Sequence, residues 1–167
     1  MENSILQPQR EFMLAAIGAA RSSTSPLPIH HIGAAIVKDG KIIVAKPNQT
    51  KETNDSTMHA EIAAIRKASG LLGTRILSGC ILYSTHEPCA MCAAALIWCR
   101  LDGVVFGTTL QDMLEAQDAD GNLIWASPAI NITAKELLER SVPRIGIVEG
   151  FMREECMLLF PLSIHDH

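Results

Sequence analysis

The run Cys80-Ile-Leu-Tyr-Ser-Thr85 leads, through His86 and Glu87, into Pro88-Cys89-Ala90-Met91-Cys92-Ala-Ala-Ala-Leu-Ile-Trp98-Cys99. This stretch decides how the rest of the chain is read. Its first part is short, β-prone and bounded by polar residues, which predicts a buried strand. Pro88 suits the opening of a helix, where its missing N–H is one of the donors left over anyway. The Ala- and Leu-rich residues after it predict a helix to about Cys99. Val104 to Gly107 reads as another strand. A strand, a helix and a strand in so short a span predict a βαβ unit with parallel strands.

Working outward, residues 9–21 read as a helix with Phe12, Met13, Ala16, Ile17 and Ala20 on one side. Gly33 to Val37 reads as a buried strand. Lys38-Asp39-Gly40-Lys41 is the turn of a hairpin, since Asp-Gly tolerates positive φ, and Ile42 to Ala45 is the returning strand. Residues 46–57 read as a loop, and 58–69 as a helix closed by Gly70. Beyond the βαβ unit come a short helix over 111–117, a turn at Asp118 to Gly121, and a helix through Arg140 opened by the capping box Thr133-Ala-Lys-Glu136. A strand over 144–148 and a helix over 154–160 follow. A hairpin and then alternating helices and strands predict an α/β fold, a mixed sheet with helices on both faces. No repeat or linker divides residues 1–167, so a single domain is expected.

Composition sets the outer limits. The chain has 167 residues, is 48% hydrophobic, and carries a net charge of −4 from 14 Lys+Arg against 18 Asp+Glu. That apolar fraction excludes a disordered chain. The mild acidity argues against a protein whose main task is gripping nucleic acid. No apolar run is long enough to span a bilayer, so no membrane partner is expected. Glu2 stands where a signal peptide would be basic. Five cysteines, an odd number, do not suit a secreted disulfide framework. A cytoplasmic location is expected, where clustered cysteines point to metal or catalysis.

Two motifs carry chemistry. His59-Ala60-Glu61 opens one predicted helix and Cys89-Ala-Met-Cys92 opens the next. Cysteines at i and i+3 share a helix face, and the helix N-terminus favours the thiolates that a metal requires. With His59 they make three ligands. Zinc prefers four, so a position remains for water, as at catalytic zinc sites. Glu61 then reads as a proton carrier beside the zinc rather than as a ligand. A redox C-x-x-C or half of a structural zinc knuckle are the other readings. The first leaves His59 and Glu61 unexplained, and the second lacks a fourth ligand. Cys80, Cys99 and Cys156 read as core.

H-x-E followed by P-C-x-x-C is the signature of the zinc deaminases, and the sequence resembles the cytidine-deaminase-like enzymes across nearly its whole length. The resemblance implies a three-layer α/β/α sandwich around a five-stranded mixed sheet, bound Zn2+, and hydrolytic release of an amino group as ammonia. It also implies a homodimer, with exchange of C-terminal segments as a further expectation.

Three stretches bear on the substrate. Asn54-Asp-Ser-Thr-Met-His-Ala-Glu61 is similar to a stretch of bacterial guanine deaminases and tRNA adenosine deaminases, with Ser56 in place of their usual proline. Asn48 matches an asparagine that contacts the base in both groups. Trp98 matches a tryptophan of the guanine deaminases. Gln111 to Ala116, with Asp120 farther on, resembles their acidic loop, although the Gly-Phe pair that usually precedes the second acid is missing. By that resemblance Asp112 and Asp120 meet the guanine edge, whose N–H donors suit carboxylate acceptors. Thr108-Thr-Leu-Gln111 replaces the Lys-x-Gly-Ala loop of the tRNA enzymes, and the basic C-terminal helix they usually carry is missing. The reading is a deaminase of a free nucleobase, guanine to xanthine, with nucleic acid disfavoured. A tRNA adenosine deaminase, a cytosine or nucleoside deaminase, and an inactive partner subunit are the alternatives.

Overall fold

The computed structural model describes residues 6–23, 31–120 (side chains to 117) and 130–160. The first element is α1 (Arg10–Arg21), and the hairpin β1 (Gly33–Lys38) and β2 (Lys41–Pro47) follows. After a helical turn, α2 (Thr50–Thr53), come α3 (Ala60–Leu72), β3 (Cys80–His86), α4 (Ala90–Trp98) and β4 (Gly103–Thr108). The chain continues with α5 (Leu110–Asp120), α6 (Ala134–Leu138), β5 (Gly146–Val148) and α7 (Arg153–Met157). The sheet order is β2-β1-β3-β4-β5. β1 is antiparallel to both its neighbours, whereas β3, β4 and β5 are parallel, as the βαβ reading requires.

The hairpin turn holds Asp39 at φ 49° and Gly40 at φ 69°. Two positive φ values are what a tight two-residue turn needs. Along the strands, side chains alternate between faces. Ala34, Ile36, Leu82, Val104 and Phe106 pack with Ala60, Ala64 and Ala68 of α3, Leu96 of α4 and Leu138 of α6. Ala35, Val37, Tyr83 and Val105 pack with Phe12, Met13, Ala16 and Ile17 of α1 and Cys156 of α7. Helices therefore cover both faces, giving the three-layer sandwich, and the central strands are apolar on both sides. α1 lies so close to β1 that a Cβ on Gly33 would fall 2.1 Å from the Ala16 carbonyl oxygen and 2.5 Å from the Ala20 nitrogen.

Several boundaries differ from the sequence reading. α3 runs past Gly70 to Leu72, and Gly73 closes it at φ 65°. The extra turn brings Leu72 onto the core, which offsets the roughly 1 kcal/mol that a glycine costs inside a helix. Pro88 lies just outside α4, because Cys89 is the N-cap, with an extended ψ of 169°. α5 continues through residues expected to turn at Asp118. The expected loop over 46–57 contains α2. α6 ends at Leu138, and α7 begins at Arg153 and ends at Met157.

Because β1 is antiparallel to β2 and β3, the strands β2, β3 and β4 all point the same way. The helices that follow them, α3, α4 and α5, begin at the same edge of the sheet. That edge, beyond the carboxyl ends of parallel strands, is where α/β folds place ligands.

Candidate active site

His59 is the N-cap of α3 and Cys89 is the N-cap of α4. An N-cap side chain ordinarily accepts a hydrogen bond from its own helix. Neither does so here; both turn toward one point between the helices. His59 Nδ1 lies 3.6 Å from Cys89 Sγ and 3.7 Å from Cys92 Sγ. All three ligand atoms fall within 4.8 Å of one another. A tetrahedral zinc with a nitrogen at 2.0–2.1 Å and a sulfur at 2.3 Å has an N···S edge of about 3.6 Å. The donor set and its spacing thus fit zinc. Cys92 is buried, His59 half-buried and Cys89 exposed, so the cluster faces outward at the sheet edge.

Glu61 is in the first turn of α3 and only 2% exposed. Its Oε2 lies 3.6 Å from Cys92 Sγ, and its Oε1 accepts from Ser84 Oγ at 3.4 Å. It therefore stands beside the ligand cluster, outside the three-atom set. Burial raises the Glu61 pKa above the ordinary carboxylate range. The bond from Cys92, followed by the nearby His59, lowers the Cys89 thiol to about 4. Cys92 itself is pushed up by that same bond and by burial. His59 is raised, chiefly by its bond to Cys89. A thiolate is thus favoured at the exposed position, Cys89.

The residues expected to contact substrate lie after β2, at the end of α4 and on α5. Asn48 follows β2, and its Oδ1 accepts from the Thr50 N–H at 3.1 Å, so it shapes the turn into α2. Trp98 ends α4 and is 82% exposed. Asp112 is 6% exposed but already engaged. Its Oδ2 accepts from the Thr109 N–H at 2.8 Å, and the Arg153 guanidinium grips both its oxygens. Burial alone would raise its pKa, but the Arg153 fork and the Thr109 N–H outweigh it and hold the carboxyl below the usual range. Asp112 thus closes α5 onto α7. Asp120 is the last residue of α5; its side chain, like the C-terminal residues 161–167, lies outside the described residues.

Three participants escape the sequence reading. Ser84 carries no motif. Arg153 meets Asp112 from 41 positions away. Glu87 is buried, and its two oxygens accept from the N–H groups of Leu110 and Ala134 at 2.8 and 2.7 Å. Only Thr109-Leu-Gln-Asp112 held a usable signal, since Ser or Thr followed three residues later by an acceptor marks a helix start. Cys80, Cys99 and Cys156 are buried in the core as read, and no described helix is long and apolar enough to cross a membrane.

Comparison with known proteins bears on the same residues. The chain is 48% identical over 84 residues to the guanine deaminase of Bacillus subtilis, a match covering 50% of this chain and 54% of that protein. It is 42% identical over 113 residues to the tRNA-specific adenosine deaminase of Agrobacterium fabrum, covering 68% of each. The fold superposes on a solved tRNA:A34 deaminase with a TM-score of 0.72 at 30% identity, covering 91% of this chain and 100% of that one. The match thus spans about half of one curated relative and about two thirds of the other. The presence of tRNA enzymes among the relatives removes support for the expectation that nucleic acid is disfavoured as a partner. Residues 6–108, which hold His59, Glu61, Cys89 and Cys92, match the model of the cytidine and deoxycytidylate deaminase zinc-binding region, and the chain belongs to that family of zinc-dependent deaminases.

Proposed function

We propose that this deaminase acts on a free nucleobase, converting guanine and water to xanthine and ammonia. The observation that carries deamination is the buried Glu61 carboxylate beside the His59, Cys89 and Cys92 cluster. Guanine is supported by the 48% identity to a guanine deaminase and by Thr108-Thr-Leu-Gln111 at the start of α5, where a tRNA enzyme would usually carry Lys-x-Gly-Ala.

His59, Cys89 and Cys92 would hold the zinc. When bound, zinc supplies the Lewis acidity that lowers a water's pKa toward about 7. Glu61 takes a proton from the attacking water and delivers it to N3 of the base, next to C2, where the amino group leaves. It then moves a proton to the departing amine. Ser84, donating to Oε1, keeps Oε2 turned toward the ligand cluster. Asn48, on the loop before α3, is assigned to the base edge. Asp112 is assigned to placing α5 through Arg153. Trp98 and Asp120 remain proposed base contacts on the strength of the family resemblance.

The second reading, adenosine deamination in tRNA, is favoured by the 42% identity to the Agrobacterium enzyme. Ammonia release from guanine, adenine, cytosine, their nucleosides and a tRNA anticodon stem-loop separates the two. Release from guanine alone is expected, and release from the stem-loop alone overturns the guanine assignment. Glu61→Gln should retain zinc and lose about 10²- to 10⁴-fold in turnover; near-normal turnover would sink the role given to Glu61.

A further inference from the structure

Helices α5 and α6 each open with a reciprocal cap. Thr109 Oγ1 accepts from the Asp112 N–H while Asp112 accepts from the Thr109 N–H. Thr133 and Glu136 do the same for α6. A capping box serves the N-cap and third-position donors and leaves those of the first two positions over. The first-position donor is Leu110 in α5 and Ala134 in α6. Both are taken by Glu87, one on each carboxylate oxygen. The Glu87 N–H donates in turn to the Thr108 carbonyl at the end of β4, at 2.8 Å. Glu87 is thus held by β4, α5 and α6 together, and only Pro88, with its locked φ, separates it from Cys89.

We infer that Glu87 is a positioning residue for the metal centre, fixing where the Cys89 sulfur stands relative to His59 and Cys92. The inference rests on the zinc reading of that cluster. The backbone from Glu87 to Cys89 is stiffened by Pro88 and tied to β4 through the Glu87 N–H, so loosening the clamp that seats Glu87 passes into the Cys89 backbone. Residues that orient metal ligands from outside the coordination sphere commonly change metal affinity by 10- to 100-fold when replaced. In Glu87→Gln, one of the two N–H donors meets an amide NH2 in place of an acceptor, so the clamp opens on one side.

The test uses the full-length chain loaded with Co2+, whose visible bands report tetrahedral thiolate coordination, together with chelator competition for the metal. Glu87→Gln should alter the cobalt spectrum and weaken metal retention at least tenfold. Glu136→Gln disturbs the exposed α6 box without touching Glu87, and should leave both readouts within about twofold of the parent. Leu110→Pro removes one of the two donors at a helix position where proline is well tolerated. It should shift the spectrum in the same direction by less, and it supplies the answer if Glu87→Gln does not fold. A parent-like spectrum and affinity in Glu87→Gln, or in Leu110→Pro where that variant decides, overturns the inference. Failure of the parent chain to bind cobalt overturns the zinc reading itself, a distinct outcome.

Discussion

Asp112 offers the sharpest discrimination between a structural and a substrate-reading carboxylate. In Asp112→Asn the amide oxygen can keep the Thr109 N–H, but the NH2 group then faces the donors of Arg153. Three losses follow. The Arg153 side chain is 49% exposed, so solvent screens the fork and its loss costs about 0.5–1 kcal/mol. An amide buried without an acceptor costs about 1–2 kcal/mol. Loss of negative charge in the first turn of α5 costs about 0.3–1 kcal/mol. Together they come to about 2–4 kcal/mol, or about 4–16 °C in Tm for a chain of this size. The assay is thermal unfolding of the metal-loaded enzyme at fixed free zinc, because bound ligand shifts Tm by itself. Asp112→Asn should melt lower and keep KM for the base within about threefold. A double-mutant cycle with Arg153→Met should show coupling of about 0.5–1 kcal/mol. An unchanged Tm with a tenfold rise in KM would refute the reasoning, because it would mean that Asp112 faces the substrate.

Two further outcomes are expected. Gly33→Ala places a methyl group 2.1 Å from the Ala16 carbonyl oxygen, so α1 must shift by about 1 Å; differential scanning calorimetry should show a loss of about 3 kcal/mol or more. The cost falls on the face opposite α3 and α4, so zinc content should not change. His86 is 6% exposed, and burial lowers its pKa from 6.5 to about 4, against smaller opposing effects of Asp112 and Cys89. As pH falls from 6.5 to 4 the unfolded chain takes up a proton that the fold resists, so stability drops by about 3 kcal/mol. His86→Gln should flatten that part of the urea-denaturation profile, and an unchanged slope would contradict the burial argument.

The parts of this molecule that could be read from sequence are those fixed by local rules. Asp39-Gly40 demands a tight turn, Thr133 to Glu136 a helix start, and Val104 to Gly107 a buried strand; each decides its own conformation within a few residues. His59, Glu61, Cys89 and Cys92 were legible for a related reason. Their spacing places them at helix openings, and the parallel run of β2, β3 and β4 brings those openings to one sheet edge. Gly70 misled because a glycine near the end of an apolar pattern looks like a cap. Only the seating of Leu72 on the core shows why the helix goes on to Gly73.

Asp112 and Glu87 show where local reading stops. A carboxylate three residues into a helix looks the same in sequence whether it meets a guanine N–H, a backbone N–H or a guanidinium. The choice is made by Arg153, which the fold delivers from α7 on the far side of β5 in the chain. Glu87 is starker, since its two partners are backbone donors, which no residue type announces. Both acids follow strands that end at the sheet edge carrying the ligands; Glu87 gives its two oxygens to the openings of α5 and α6, and Asp112 gives its oxygens to the opening of α5 and to Arg153. The net negative charge of the chain is therefore a poor guide to substrate. At Glu87 and Asp112 the charge is directed into the protein, toward the N-termini of α5 and α6 and toward Arg153, whereas Glu61 stands beside the ligand cluster. On the proposed guanine reading, Asn48, Trp98 and Asp120 are then left as the candidates for meeting the base, with Asp112 withdrawn from that role by Arg153.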